Sequence, residues 1–415
     1  MENMHVFLCG YESPHVVQQL LAKLSDEASI TVIAKSEILQ SIPHHADTIS
    51  LSSYIGSQLN QRIQNLNGGH VLFLFKGDDV NLSLLKKQPV DKMKLYTYPL
   101  TAGELKLPLM FKSADLKLFP FPETYAFPFV EAMFAYWVRS LPSDQCIPVD
   151  AKKAVRMGIQ KETRLTSAFL EPSQLYQFTT EHKATSSLSI MLAAYNAKPF
   201  IHTAVSSCFI QSVPFQKKQL FVVDDGSTDG TAEDLASLQS QLGFQLIQKE
   251  NGGKARALNT LLPLVDTEFV LELDADDWLD PNALSVISNH LLSIPSDAAV
   301  LYGNLRRWKE KPHNELKLMG VANGRSIRSK NELLGYAFPM GPRIYRTSFL
   351  KAIGGFPILS FLDGRMYEDV SVLNALMKRY SVCYRDFTVY NVRDHVKSIT
   401  KKNHSNWSDF IKNLD

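Results

Sequence analysis

The chain has 415 residues, of which 45% are hydrophobic, 21% charged and 10% aromatic, a globular composition long enough for two cores. Its 44 basic and 42 acidic residues nearly cancel, which excludes the broad positive field of a nucleic-acid binder. Met1-Glu2-Asn3-Met4-His5 lacks the basic, apolar and small-residue regions of a signal peptide, so the expectation is a cytoplasmic protein.

In chain order, the first expected strand is Val6–Cys9, running into Gly10-Tyr11-Glu12, and the second is Ile30–Lys35. A third apolar run, Leu72–Phe75, ends in Lys76-Gly77-Asp78-Asp79, and Leu109–Ser113 follows as a further segment. The most apolar long window, 118–138, contains Glu123, Glu131 and three prolines, which a membrane span would not carry. Its aromatic content suggests a buried face or a surface that docks on a membrane. Residues 1–138 read as a non-catalytic α/β domain, and the polar, moderately basic stretch 139–186 reads as a linker. Cys9, Cys146, Cys208 and Cys383 are scattered without metal-ligand spacing, as core thiols of a reducing compartment are.

From Ser187 strands alternate with helices, the pattern of a doubly wound sheet in the remaining domain, 187–415. Leu188–Ala193 is the first strand, and Asn196-Ala197-Lys198-Pro199 opens a helix towards Gln211. The second strand, Leu220–Val223, ends in Asp224-Asp225-Gly226-Ser227-Thr228-Asp229-Gly230-Thr231. Thr231 is the expected N-cap of a helix with the apolar stripe Ala232, Leu235, Leu238 and Leu242, stopped by Gly243. Phe244–Gln248 is a strand followed by Asn251-Gly252-Gly253 and a helix bearing Lys254 and Arg256. Glycines, a helix start and two cations favour a bound anion, although an ordinary glycine turn has the same composition.

Phe269–Leu273 reads as a buried strand, and three carboxylates follow it in Asp274-Ala275-Asp276-Asp277. Alternation sends Asp274 and Asp276 to one side, where each would raise the other's pKa unless a cation lay between them. A divalent ion is the natural partner. An acidic turn ahead of Asp280-Pro281 is the simpler alternative. Ligands of open α/β sheets sit beyond the carboxyl ends of the strands, so the two acidic strand ends converge on one cleft. Strand-like Ala299–Tyr302 and Tyr384–Val392 flank the loop Gly335–Pro342; Met340 and Gly341 there, with Trp278, are the expected acceptor pocket. Tyr367-Glu368-Asp369 then opens a helix whose first-turn carboxylates either match its dipole or supply a base.

Ala194-Tyr195-Asn196, VVDDGSTDGT, NGGKARALN, LDADD, YGN, Gly341-Pro342, YEDV and the closing 393–398 segment resemble, in order, an inverting family 2 glycosyltransferase of the GT-A (nucleotide-diphospho-sugar transferase) fold, over about residues 187–400. The resemblance implies a hexosyltransferase with a mixed doubly wound sheet. A UDP- or similar sugar donor would contact Ala193, Tyr195, Asp225, Lys254 and Asp274, and Mn²⁺ or Mg²⁺ would lie on Asp274, Asp276 and His395. It also implies a base at Asp369 or its neighbour Glu368, with Asp369 favoured, and a saccharide or glycolipid acceptor such as an envelope polysaccharide. Family members have proline where Ala193 stands. Peripheral membrane contact through 118–138 or the basic stretch 397–402 would suit such an acceptor.

Against these motifs the N-terminal part reads as a degenerate copy of the same fold, or as a small Rossmann-like domain. Val6–Glu12 aligns on Ile190–Asn196, Leu72–Asp79 on Val270–Asp277, and Leu109–Ser113 on Arg343–Thr347, which would put Lys76 in place of Asp274. Two rival functions remain: a nucleotidyltransferase, which lacks its phosphate loop here, and a non-catalytic nucleotide-sugar-binding subunit. A dinucleotide-dependent oxidoreductase is excluded because no G-x-G-x-x-G follows either first strand.

Overall fold

The computed structural model describes residues 3–11, 13–43, 46–51, 54–75, 79–85, 95–100, 104–128, 132–134, 136–137, 146–148, 155–156, 187–211, 219–311, 315–335, 340–396, 407–412 and 414. The chain forms two compact units, Met1–Thr179 and Thr180–Asp415. Most of the expected linker lies outside the described residues.

The strands of the first unit are β1 (Met4–Cys9), β2 (Ser29–Ala34), β3 (Asp47–Ser50), β4 (His70–Phe75), β5 (Asp79–Val80), β6 (Leu95–Leu100), β7 (Glu104–Lys112), β8 (Cys146–Pro148) and β9 (Val155–Arg156). Its sheet runs β3-β2-β1-β4-β7-β6-β8, with β1 to β4 parallel and β7 antiparallel to β4. Strands buried on both faces need apolar side chains throughout, and β1 and β4 are buried at every position.

The second unit contains β10 (Leu188–Ala194), β11 (Leu220–Asp224), β12 (Gln245–Gln248), β13 (Phe269–Asp274), β14 (Trp278–Leu279), β15 (Ala298–Lys311), β16 (Glu315–Ala322), β17 (Arg343–Arg346) and β18 (Ser381–Asp394). Its order is β12-β11-β10-β13-β17-β15-β18-β14, with β16 on the flank of β15 and β17 antiparallel to β13. The helix Thr231–Leu242 buries Leu235, Leu238 and Leu242 and ends at Gly243, whose φ of 77° is open to glycine. Its cap is Gly230 rather than the expected Thr231. The Thr231 hydroxyl is already committed, donating to Asp229 and accepting from the amide of Ala197.

The two units share one plan. β1, β2, β3, β4 and β7 take the places of β10, β11, β12, β13 and β17. The registers agree residue for residue: Val6 lies opposite Ile30 and Leu72, as Ile190 lies opposite Leu220 and Leu271. Thr31 faces Asp47 as Phe221 faces Gln245, and Leu72 faces Met110 as Leu271 faces Ile344. Even the framing bonds recur, with Ser113 N donating to Gly69 O at 3.0 Å and Thr347 N to Glu268 O at 2.9 Å. This corrects the expected alignment by one residue. Phe75 faces Cys9 as Asp274 faces Ala193, so Phe75, not Lys76, occupies the Asp274 slot.

The 118–138 window serves the first unit's own core. Phe121, Phe127, Phe134 and Trp137 are buried, and Phe121 and Phe134 both pack edge-on against Phe73. That bears out the buried-face reading of this segment for these four rings, while Leu118 at its start is exposed. The basic stretch 397–402 lies outside the described residues. Among the described residues no helix is long and apolar enough to cross a membrane.

His5 at the foot of β1 lies 2.6 Å from Ser29 Oγ and 3.0 Å from Thr31 Oγ1, and burial, assisted by Arg62, holds its pKa down at about 4 instead of 6.5. The unfolded chain therefore binds a proton that the fold refuses as pH falls from 6.5 through 4. On the order of 3 kcal/mol of stability should disappear across that window. Replacing His5 with glutamine should flatten this part of the denaturation-midpoint profile; an unchanged slope would contradict the assignment.

Candidate active site

The carboxyl ends of β11 and β13 carry the acidic runs, that of β10 carries Tyr195-Asn196, and the structure assembles them by local bonding. Asp229 ties the turn after β11, accepting from Thr231 N at 3.0 Å and Lys198 N at 3.2 Å, and these bonds overcome burial and lower its pKa. Asn196, at a φ of 49°, accepts from Thr228 N at 2.8 Å, and Tyr195 beside it is 53% exposed. Gly226 is required where it stands, because a Cβ there would lie 2.7 Å from Asn251 N.

Asp225 is buried, and both of its carboxylate oxygens are used inside the protein. They accept from Gly252 N at 2.9 Å and Gly253 N at 2.7 Å, with Lys249 Nζ at 2.8 Å. The glycines of the Asn251-Gly252-Gly253 turn, with the helix start and two cations after it, favour either a bound anion or an ordinary glycine turn. The amides of Gly252 and Gly253 close on Asp225, because a buried carboxylate demands donors and the turn lies next to it.

Lys254, first in the helix Lys254–Leu261, reaches three carboxylates: Asp274 at 2.5 Å, Glu272 at 2.8 Å and Glu368 at 3.0 Å. Burial alone would lower its pKa, but Asp274, Glu272 and Glu368 raise it well above the ordinary value, so it stays cationic. Glu272 is the centre of this cluster. Arg343 grips it with two bonds of 2.9 Å, and Tyr345 Oη donates to it at 2.9 Å. Burial opposes its ionisation, yet Arg343 and Lys254 hold its pKa far below the usual carboxylate range.

Arg343 Nη1 also donates to Met340 O at 3.2 Å and lies 3.8 Å from Asp369. Glu368 and Asp369 form the first turn of the helix Glu368–Met377, after Tyr367 at a φ of 59°. They differ in setting. Burial raises the pKa of Glu368 against the pull of Lys254, with Asp369 adding to the rise. The Asp369 side chain is 28% exposed and accepts from the amide of Val370 at 2.9 Å.

After β13 the three aspartates separate. Asp274 faces Lys254, and its amide donates to Tyr390 Oη at 3.0 Å. Asp276, 35% exposed, lies 2.9 Å from His395 Nε2. Asp277 is buried and accepts from Arg393 N at 2.8 Å; burial first, then Asp276 and Asp274, raise its pKa well above the ordinary value. Among the described residues no three histidine, cysteine or acidic side chains form a ready metal cage. The exposed Asp276 carboxylate and the His395 ring nitrogen are nonetheless the donor types that suit Mn²⁺.

The residues expected at the acceptor pocket are largely interior. Trp278 is fully buried, paired with Asn391 and packed on Trp308 with Arg393 at 5.2 Å, and Met340 is nearly so. This corrects the expected place of Trp278 in the wall of an acceptor pocket, because its two-residue strand pairs with β18 in the interior. The site also contains Glu272, Arg343, Tyr345 and Tyr390, which the motifs did not mark. The one signal was Glu272 itself, a charge inside the apolar run of β13.

Residues 189–352 match the model of the family described as glycosyl transferase family 2. The chain is 29% identical over 164 residues to a poly-beta-1,6-N-acetyl-D-glucosamine synthase of Staphylococcus epidermidis, covering 39% of this chain and 34% of the relative. It is 28% identical over 149 residues to the enzyme of that name from Staphylococcus aureus, covering 36% and 31%. The chain thus spans about a third of the length of the curated relatives it matches. A crystal structure of S. aureus TarS 1-349 in complex with UDP-GlcNAc superposes with a TM-score of 0.42 at 20% identity, over 55% of this chain and 65% of that one.

Asp225→Ala should release the turn it holds. Amide hydrogen exchange at Gly252 and Gly253 should quicken at least tenfold, with about 2 kcal/mol lost in stability. Unchanged protection at those amides would contradict the role given to Asp225.

Proposed function

We propose, from the premise that residues 189–352 are a glycosyl transferase family 2 domain, that the chain transfers a hexose from a nucleotide-diphosphate sugar to a saccharide hydroxyl with inversion. The similarity to poly-beta-1,6-N-acetyl-D-glucosamine synthases makes N-acetylglucosamine the first sugar to test, and the family resemblance of the motifs adds UDP as its carrier and an envelope polysaccharide as the first acceptor class. The observation that carries this reading is the unequal setting of the adjacent carboxylates: Glu368 is bridged by Lys254, whereas Asp369 is part-exposed at the edge of the cluster.

Asp369 is then the base that takes the proton of the acceptor hydroxyl as its oxygen attacks the anomeric carbon and the bond to the diphosphate breaks on the opposite face. Asp276 and His395 would hold Mn²⁺ or Mg²⁺ with the diphosphate; the ion, when bound, offsets charge on the leaving group. Glu368 and Asp274 hold the ammonium of Lys254 behind the reacting centre and so fix the helix that carries Asp369. Tyr195, exposed beyond β10, is available for the base of the nucleotide.

Asp369→Asn should lower transfer from UDP-N-acetylglucosamine by about a hundred- to ten-thousandfold while leaving donor affinity within threefold. Near-native turnover would remove Asp369 from this role. Donor binding with neither transfer nor hydrolysis in the unaltered chain would favour a non-catalytic nucleotide-sugar subunit.

A further inference from the structure

We propose that Glu272, Arg343 and Tyr345 are positioning residues for the transfer step, a buried clamp whose purpose is to hold Arg343 against Asp369. This rests on the reading of Asp369 as the base.

The chain supplies its own control, because its backbone plan is built twice. Glu272 faces Arg343 across the antiparallel pair β13–β17. In the first unit, Phe73 faces Leu109 at the same register of β4–β7. Tyr345 corresponds to Phe111, which faces Val71 as Tyr345 faces Val270. The helix after β3 opens with buried Ile55, where the helix after β12 opens with Lys254. The five-strand plan therefore closes without the ions.

Where the second unit has carboxylates and cations, the first has a ring cluster. Phe73 packs against Phe7 at 4.9 Å, Phe111 at 5.9 Å and Phe121 at 5.7 Å between ring centroids. Buried ion pairs are expensive to desolvate, and apolar replacements often serve stability as well or better. A cluster that the fold does not need, placed 3.8 Å from the proposed base, is explained by what it orients.

Its geometry suits that task. Two bonds donated to Glu272 fix the plane of the Arg343 guanidinium, and Nη1, which donates to Met340 O, lies 3.8 Å from the Asp369 carboxylate. Tyr345 fixes Glu272 in turn.

The test transplants the first unit's residues: Glu272→Phe, Arg343→Leu and Tyr345→Phe together in the full chain. We expect a melting temperature within about 5 °C of the parent, kcat lowered by about a hundredfold or more, and donor KM within threefold. Transfer at the parent rate overturns the proposal, as does a loss of melting temperature with kcat per folded molecule intact. If the triple variant does not fold, the isosteric Glu272→Gln carries the test, with the same split of lowered kcat and unchanged donor KM. Should the parent chain itself transfer no sugar, the reading of its function fails separately. The crystal structure of Glu272→Gln then decides the clamp: an Asp369 carboxylate displaced from Arg343 supports it, and an unmoved one overturns it.

Discussion

Glu272 is a carboxylate in the middle of a buried strand, and the architecture of the site follows from the need to keep it charged. An isolated anion there would cost several kcal/mol or take up a proton. Arg343, Lys254 and Tyr345 prevent that, and they arrive from two elements: Arg343 and Tyr345 from the antiparallel neighbour strand and Lys254 from the helix after β12. The two cations bring a second obligation with them. Lys254 also binds Asp274 and Glu368, and Arg343 approaches Asp369. One buried charge thus connects the end of β13 to the first turn of the helix that starts at Glu368.

The first unit shows what the same backbone does without that charge. Its matching strands meet through phenylalanines, its matching face is covered by Phe121 and Phe134, and the slots of Asp224 and Asp274 hold Ala34 and Phe75. One backbone plan thus carries two different sets of inward-facing residues at the same strand ends.

Much of this was legible in the sequence because the signals were local. Runs such as Leu220–Asp224 and Phe269–Asp274 show their strands by composition, and Gly243 shows the end of a helix. The doubling of the fold was legible too, although short apolar matches left the register of β4 one residue out; only the hydrogen-bonded pairing fixes that. The Glu272–Arg343 bond was not legible, since its partners lie 71 residues apart and meet only when β17 inserts antiparallel beside β13. For the same reason the bonds from Asp225 to a turn 27 and 28 residues on were not legible either. Trp278 read as a pocket wall because nothing local announces that β18 will cover it.

Lys254 and Arg343 belong to the protein's own charge lattice around the acid pair, which leaves the Asp276 and His395 side for the diphosphate of the proposed nucleotide-sugar donor. A crystal structure with UDP-N-acetylglucosamine and Mn²⁺ tests this most directly. Lys254 Nζ should remain bonded to Glu272 and Glu368, with the metal on Asp276. A structure in which Lys254 leaves Glu272 to grip the phosphates, with Asp276 remote from the ion, would contradict this arrangement.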